Sequence, residues 1–248
     1  MENSDFKLLQ YNENYFSVCA NALIKANQKM TLREMQLIQI AISQIVRDDE
    51  ELFTYRTTAS ELAKFLNVDI RSIYMHYNKM MANLLKNVAA INNDGITKKF
   101  QWVSCCEYNK NTQEIKIKLN DELKPFLIGL KKLYTQIELS TLIKFKSYYT
   151  LRLYQLLICN WGERKQTSYE LSVEELRCFF GVDNNKYKQT PDFVKKTIRT
   201  AVDELNSTDL CVISEFKEIH DSYKKGKPII AISFTADVIG VESENEVD

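Results

Sequence analysis

Apolar residues recur at helical spacing along residues 57–87 and predict two helices joined by a tight turn. One face of the first helix is formed by residues three and four positions apart: Leu62, Phe65 and Leu66. The polar segment 67–69 ends this helix, and a second apolar stripe then extends from Ile73 to Leu85. The pattern therefore predicts a helix-turn-helix in the first half of the chain.

Two segments with the alternation typical of β-strands follow these helices. They cover residues 98–108 and Glu114–Leu119, and the turn-forming sequence Asn109-Lys110-Asn111 lies between them. Residues 53–56 predict a further short strand ahead of the first helix. A helix-turn-helix followed by a β-hairpin is the outline of a winged helix, whose second helix usually enters the major groove of DNA.

The same order of elements returns in the second half of the chain. The segment ELAKFLNVD at 61–69 is echoed by ELRCFFGVD at 175–183, an offset of 114 residues between Glu61 and Glu175. Gly181 occupies the position equivalent to Asn67, and both residue types tolerate the left-handed conformation that ends a helix. The two segments therefore predict two equivalent helix ends.

Equivalent elements also surround each copy. After the second copy, the pattern predicts a helix over 192–206 and strands over 210–218 and 228–234. Long apolar helices over 31–46 and 140–160 precede the two copies, and a capping box of Thr31 and Glu34 begins the first of them. We therefore predict a mostly helical α+β fold of two tandem winged-helix domains related by internal duplication.

The repeat also predicts the domain limits. Residues 1–14 are expected to form a flexible N-terminal arm, and 15–130 the first winged-helix domain, for dimerisation and DNA contact. Residues 131–236 are expected to form the second, main DNA-binding domain, followed by an acidic, disordered tail over 237–248.

The charge total neither supports nor excludes a nucleic-acid partner. The formal net charge is zero, but residues 237–248 hold five acidic residues and no basic one, so the rest of the chain carries +5. Positive charge is therefore free to gather on a surface of either predicted domain.

Cysteine usage and hydropathy indicate the cell compartment. None of the six cysteines has C-x-x-C spacing, so we expect them to be reduced core residues. No signal peptide or apolar run long enough to span a bilayer is present, which predicts a soluble cytoplasmic protein with no membrane partner.

The sequence lacks the patterns of a catalytic centre. His76 and His220 are far apart and lie in no clustered metal-binding arrangement, and no phosphate-binding G-x-x-x-x-G-K-[ST] loop is present. A nucleophilic tyrosine stays open in principle, but no activating group accompanies one. We therefore expect a non-enzymatic protein without catalytic residues, metal or cofactor.

Candidate DNA contacts in the first copy lie on the side of its second helix that the apolar stripe leaves free. They are Arg71, Ser72, Met75 and Lys79. Arginine can bind guanine edges with two hydrogen bonds, while lysine and serine commonly contact phosphates. The alternative is an ordinary solvated face. Because only two of the four are basic, this domain is expected to bind DNA weakly or to serve mainly in dimerisation.

The second copy is more basic. Between 182 and 200 the net charge is +3, with Asp183 and Asp192 opposed by Lys186, Lys188, Lys195, Lys196 and Arg199. The last three have helical spacing and predict a DNA-contacting face, the alternative being a plain charged face. The hairpin lysines Lys224, Lys225 and Lys227 are expected to reach phosphate or the minor groove, unless they serve solubility alone.

Three segments together resemble the plasmid replication initiators that bind iterons. Residues 21–45, NALIKANQKMTLREMQLIQIAISQI, resemble the opening signature of that family, and FKSYYTLRLYQLL at 145–157 is similar to its second signature. The pattern ELxxFFGV followed by KKxIxxAVxELN also matches. The resemblance covers most of residues 20–235.

The resemblance implies a function that composition does not show. Proteins of that family bind direct repeats in the double-stranded DNA of a plasmid origin as monomers and recruit host helicase and replication proteins. Dimers formed through the first domain commonly repress the protein's own gene, so monomer–dimer exchange is implied. A bacterial, nucleoid- or plasmid-associated location follows from the same resemblance.

Three other functions stay open on sequence alone. The first is a transcriptional regulator on the same two-winged-helix frame, without a replication role. The second is a catalytic initiator that nicks its origin, and the third is an adaptor with degenerate winged helices.

Overall fold

The computed structural model describes residues 6–93, 95–159 and 166–239. Its contacts divide the chain into two compact units, Met1–Phe145 and Lys146–Asp248. Each unit contains a helix-turn-helix and a β-sheet, as the winged-helix prediction requires.

The first unit alternates helices and strands along the chain. Its described helices are α1 (Asn21–Ile24), α2 (Leu32–Ile42), α3 (Ala59–Phe65), α4 (Ile70–Leu84), α5 (Lys124–Leu127) and α6 (Leu139–Lys144), with a 3₁₀ turn at Asp121–Leu123. Its described strands are β1 (Phe6–Leu8), β2 (Phe16–Ala20), β3 (Thr54–Thr58), β4 (Val88–Asn93), β5 (Ile96–Gln101), β6 (Val103–Asn109), β7 (Glu114–Leu119) and β8 (Tyr134–Glu138). The largest sheet has the order β1-β3-β7-β6, while β2 pairs with β8 and β4 with β5.

The second unit is simpler. Its described elements are α7 (Tyr148–Cys159), β9 (Gln166–Ser172), α8 (Val173–Phe179), α9 (Thr190–Phe193), a π-helical segment (Val194–Arg199), α10 (Thr200–Asn206), β10 (Cys211–His220) and β11 (Ile229–Val238). The three strands form one antiparallel sheet of order β10-β11-β9.

One almost completely buried helix forms the centre of each unit. In α2, every residue from Glu34 to Ile42 is buried, and its capping box is present as predicted. In α7, Leu151, Leu153 and Leu157 are fully buried. A helix that is apolar around most of its circumference needs contacts on all sides, which is why other elements surround it.

Both central helices carry an arginine followed three residues later by a glutamine. Arg33 Nη1 lies 2.9 Å from Gln36 Oε1 and donates to the carbonyl oxygen of Leu66, just after α3. Arg152 Nη1 lies 3.3 Å from Gln155 Oε1, and its guanidinium stacks 4.2 Å from the Phe179 ring at the end of α8. In each unit the arginine therefore connects the central helix to the first helix of the helix-turn-helix.

The two helix-turn-helix turns have the same geometry, as the predicted equivalence of the two helix ends requires. Asn67 and Gly181 both adopt left-handed conformations, with φ of 49° and 61°. The following valine donates its N–H five residues back in both copies, from Val68 to Ala63 and from Val182 to Arg177, each over 2.9 Å. These are the hydrogen bonds of a Schellman motif.

The predicted single strand over 98–108 is wrong: the structure has β5 and β6, and β4 precedes them. The buried Trp102 separates β5 from β6. The main-chain N–H of Trp102 donates to the carbonyl oxygen of Asn87. The carbonyl oxygen of Trp102 accepts from the main-chain N–H of Asn120. The main chain therefore changes partner at this residue, from β4 on one side to β7 on the other.

The predicted long helix over 140–160 is also wrong, because α6 and α7 are separate. Phe145 is extended and its side chain is buried, so the apolar pattern continues through the break. The carbonyl oxygens of Leu142, Ile143 and Phe145 all lie 3.0–3.4 Å from Gln36 Nε2. The predicted end of this helix, at residue 160, lies outside the described residues.

The division between the units falls after Phe145 and not after residue 130. Residues 131–145, which the repeat assigned to the second domain, lie in the first unit because β8 pairs along its whole length with β2. The 114-residue offset identifies equivalent elements of the two copies, but it does not show that β8 pairs with β2.

Strand pairing also alters both predicted chain ends. Residues 6–8 were predicted in the flexible arm, but β1 pairs in parallel with β3, and Lys7 forms a 2.6 Å ion pair with Asp49. Asp237 and Val238 were predicted in the tail, but they belong to β11 and pair with β10. The remaining tail, 240–248, lies outside the described residues.

The predicted helix over 192–206 contains a π-helical segment at its centre, Val194–Arg199. Thr197 Oγ1 donates to the Phe193 carbonyl oxygen over 2.7 Å, and Thr200 Oγ1 donates to that of Lys195 over 3.2 Å. These hydroxyls supply additional donors where the helical hydrogen-bond pattern widens from i→i+4 to i→i+5.

We expect Gly181→Ala to lower the free energy of unfolding by about 1 kcal/mol, because a Cβ is strained in the left-handed region. Asn67→Gly is the matched control and should change it by less than about 0.5 kcal/mol, since glycine adopts this φ freely. Urea unfolding followed by circular dichroism measures both. Equal stability of Gly181→Ala and the wild type would contradict the strain argument.

Candidate nucleic-acid interface

In the first unit, the candidate residues lie on the exposed side of α4. Arg71, Met75 and Lys79 are exposed, Met75 to 71%, and Ser72 is half-buried. The carboxylate of Asp69 caps the helix by accepting from the Arg71 N–H over 2.7 Å. The structure therefore brings the four predicted residues together near the beginning and middle of one helix.

The C-terminal end of α4 is held by a buried carboxylate, that of Glu34, which also completes the capping box of α2. Glu34 is 3% exposed and accepts from Asn83 Nδ2 over 2.8 Å and from Asn87 Nδ2 over 3.3 Å. A second connection is made by Tyr77, whose hydroxyl donates to the Glu107 carbonyl oxygen on β6 over 3.0 Å. Desolvation raises the pKa of this buried phenol. Polar contacts on two sides thus orient α4.

In the second unit, the three candidate cations of the recognition helix are exposed. Lys195, Lys196 and Arg199 point outward while Phe193 and Ile198 are fully buried. The π-helical segment keeps all three on the solvent side, although it replaces the regular α-helical spacing that the sequence predicted.

Lys186 and Lys188 lie in a loop of the helix-turn-helix that has no counterpart in the first unit. In the first unit Asp69 caps α4 directly after the turn, whereas residues 183–189 separate the second turn from α9. Arg177 holds this loop: its guanidinium donates to the carbonyl oxygens of Lys186 (3.1 Å) and Tyr187 (2.6 Å) and stacks on Phe193. At the equivalent position, 114 residues earlier, the first copy has Ala63.

The loop also joins aromatic and basic side chains. Lys186 Nζ donates to the Tyr149 hydroxyl over 3.2 Å and lies 5.1 Å from the Tyr187 ring, which Lys196 also approaches to 5.5 Å. The hydrogen bond that Lys186 donates to Tyr149 raises the pKa of Lys186, while burial raises the pKa of Tyr149. The Tyr149 contact therefore favours the charged form of Lys186.

The turn between β10 and β11 presents the remaining candidates. Lys224, Lys225 and Lys227 are exposed, and Gly226 and Lys227 both have positive φ, 82° and 42°. Lys224 lies 3.4 Å from Asp221, so part of its charge is compensated within the protein.

Arg199 has both a charged and an aromatic neighbour on the adjacent strand β10. Its Nη2 lies 2.7 Å from Glu218 Oε1 on β10, and its guanidinium carbon lies 5.0 Å from the centre of the Phe216 ring. Sequence spacing did not indicate this pair, because a strand residue and a helix residue meet only through the tertiary fold.

Two findings concern other chemistry. Among the described residues, no three His, Cys, Asp or Glu side chains lie together in a way that could hold a metal ion, and none of the described helices is long and apolar enough to cross a membrane. Cys19, Cys159 and Cys211 are buried as predicted, but Cys105 and Cys178 are exposed. Desolvation raises the pKa of the half-buried Cys106 thiol to about 12.

Comparison with known families assigns both halves of the chain. Residues 18–158 match the family described as Initiator Replication protein, WH1, and residues 172–236 match Initiator Rep protein, WH2. The chain belongs to the initiator replication protein family. The two matches confirm the predicted family and its two winged-helix domains.

A solved initiator structure has the same fold. The chain is similar to the Pi initiator protein, solved in complex with iteron DNA, with a TM-score of 0.65 and 18% identity over 92% of this chain and 99% of that one. At this identity the likeness concerns the fold. The WH1 domain of the replication protein MSBI1.176, isolated from a multiple sclerosis patient, matches 43% of this chain and 78% of that one at 16% identity, with a TM-score of only 0.27.

We expect Arg177→Lys to release the loop 183–189 of this initiator protein, because a lysine cannot donate to two carbonyl groups in the fork geometry of arginine. Tryptic cleavage after Lys186 and Lys188 should accelerate about tenfold as the loop opens locally. Glu174→Gln, at an exposed position of the same helix, is the control and should leave cleavage unchanged. Unchanged cleavage in Arg177→Lys would show that the loop is held by other contacts.

Proposed function

We propose that this initiator protein binds direct repeats in a plasmid origin, chiefly through the second unit, and thereby starts replication. The observation that carries the proposal is the exposed row of Lys195, Lys196 and Arg199 on the helix that follows the second turn. Family membership and the likeness to the Pi initiator, whose structure contains iteron DNA, support it.

The basic residues of the second unit have different expected roles. Residues on the recognition helix are expected to reach base edges in the major groove, and those of the loop and hairpin turn are expected to contact phosphates. Phosphate contacts supply affinity without sequence preference, while base contacts supply specificity. The proposal is thus that affinity comes from several segments and specificity mainly from one helix.

The first unit is proposed to have a smaller role in DNA binding. Arg71 and Lys79 are the only basic residues among its four candidates, and the exposed Met75 offers an apolar contact. We propose that this unit contributes weak DNA contact and homodimerisation, with monomer–dimer exchange, and that the dimer represses the protein's own gene.

Further proposals concern partners and activity. Origin-bound protein is proposed to recruit host replication proteins, including the helicase machinery, in the bacterial cytoplasm. The protein is proposed to act through binding alone, without catalysis or cofactor, so supercoiled origin DNA incubated with protein and Mg²⁺ should remain unnicked.

Footprinting on DNA flanking the gene, with a salt titration, tests the proposal. Regular protection over direct repeats is expected, and it should be lost in the variant Lys195→Ala/Lys196→Ala/Arg199→Ala. The control variant Lys25→Ala/Lys131→Ala/Lys132→Ala removes the same charge from exposed positions of the first unit and should retain protection. The triple change in the helix should weaken binding by about a hundredfold or more, since each base contact contributes about 1–3 kcal/mol.

Other outcomes would contradict the proposal. A single protected inverted repeat over the promoter would indicate a transcriptional regulator, and nicked DNA would indicate a catalytic initiator. No specific protection at any salt concentration would leave only the adaptor function.

We expect Lys225→Ala to weaken binding to all DNA sequences alike and to lower the slope of log K against log salt by about 1, as loss of one phosphate contact does. Lys25→Ala is the single-charge control and should leave the slope unchanged. A salt titration of DNA binding measures the slope of each variant. A loss confined to the specific repeat would show that Lys225 contacts a base.

A further inference from the structure

Arg199 is an exposed side chain whose orientation is nevertheless fixed by two neighbours. Its side chain is 51% exposed, yet Glu218 Oε1 accepts from Nη2 over 2.7 Å and the Phe216 ring lies 5.0 Å from the guanidinium carbon. One edge of the guanidinium therefore meets a carboxylate and one face lies near an aromatic ring. The remaining N–H donors of the fork are left for another partner.

The neighbouring lysines of the same helix differ in this respect. Within the described parts of the chain, neither Lys195 nor Lys196 forms an ion pair with a carboxylate, and Lys196 has only the Tyr187 ring at 5.5 Å. A point charge can contact a phosphate from many orientations. A guanidinium that binds the O6 and N7 of guanine must present two N–H groups in one plane.

The position of Glu218 is unusual for a surface that attracts DNA. A carboxylate near the phosphates opposes binding through its charge, and it also compensates part of the charge of Arg199. The presence of Glu218 is explained if DNA binding gains more from a fixed orientation of Arg199 than it loses through the negative charge of Glu218.

Glu218 also lies close to the hairpin turn. His220 Nδ1 lies 2.7 Å from the Lys227 carbonyl oxygen, which requires the proton to be on Nδ1. His220 Nε2 lies 3.8 Å from Glu218 Oε2, beyond hydrogen-bond distance, and these two side chains form an ion pair only when the imidazole is protonated. The contact with Arg199 is therefore the short, direct one that Glu218 makes.

We propose that Glu218, together with Phe216, is a positioning residue that holds Arg199 in the orientation in which it binds a guanine. Specificity at one base pair then depends on an acidic residue that does not itself touch DNA. This inference rests on the proposed DNA-binding function and adds to it a residue of opposite charge.

The experiment measures binding of the full chain to its direct repeat and to a set of repeats in which each base pair is changed in turn. In the wild type, replacement of the base pair bound by Arg199 should weaken binding at least about tenfold. The Arg199→Ala variant identifies this base pair, because it should lose the preference between bases at that pair and keep it at every other pair.

Glu218→Ala should lose most of this discrimination at the same base pair and retain it at all others. Glu218→Gln keeps an oxygen that accepts from Arg199, so it should retain part of the discrimination and serves as the conservative variant. Arg199→Ala/Glu218→Ala should discriminate no worse than Arg199→Ala alone, because both changes act on one interaction.

Glu215→Ala is the matched control. Glu215 is an exposed acid on the same strand, but it pairs with Lys217, so its loss removes the same charge without affecting Arg199. The Glu215→Ala variant should bind all DNA sequences slightly more tightly, and to the same extent. Far-UV circular dichroism and thermal unfolding establish that each variant is folded.

Two results would be decisive against one proposal or the other. If Glu218→Ala and Glu218→Gln both tighten binding to all sequences alike, as Glu215→Ala does, Glu218 only compensates charge and the inference is wrong. If the wild type shows no sequence preference at all, the proposed function fails, and this result is distinguishable from the first.

Discussion

An arginine in each central helix, half-buried in the first unit and fully buried in the second, makes the contact on which the arrangement of both units depends. An arginine taken out of water is unfavourable unless its donors and its flat faces find partners. Arg33 satisfies this requirement at the carbonyl end of α3, and Arg152, which is fully buried, does so on the Phe179 ring of α8. Because these partners belong to the helix-turn-helix, its position relative to the core is determined in both copies.

The two copies then differ in one place that matters for function. In the first, Ala63 faces no inserted loop and α4 begins directly after the turn. In the second, Arg177 occupies the equivalent position and forms hydrogen bonds with a loop. This loop adds Lys186 and Lys188 next to the recognition helix. The two units thus share a frame but differ in their basic surfaces.

Side-chain periodicity predicted most of this fold, because it reports which residues face the core. It correctly predicted the paired turns at Asn67 and Gly181 and the capping box of α2. It could not predict the break at Phe145 or the change of strand partner at Trp102, because both residues are buried and leave the apolar pattern unbroken. The contact between Arg199 and Glu218 was likewise invisible, since their side chains meet only after the helix packs beside the strand.

The π-helical segment has a consequence for how this recognition helix can change during evolution. In an α-helix each residue turns the chain by about 100°. A widened turn between Val194 and Arg199 therefore sets the angular phase between Lys195 and the buried α10 residues Ala201 and Leu205. Ile198 lies between the exposed cations of this turn and is fully buried, so loss of a residue that rotated the basic face around the helix axis would also move Ile198 out of the core. A deletion of a single codon here would thus be selected against through the hydrophobic interior, and the core preserves the direction of the basic face.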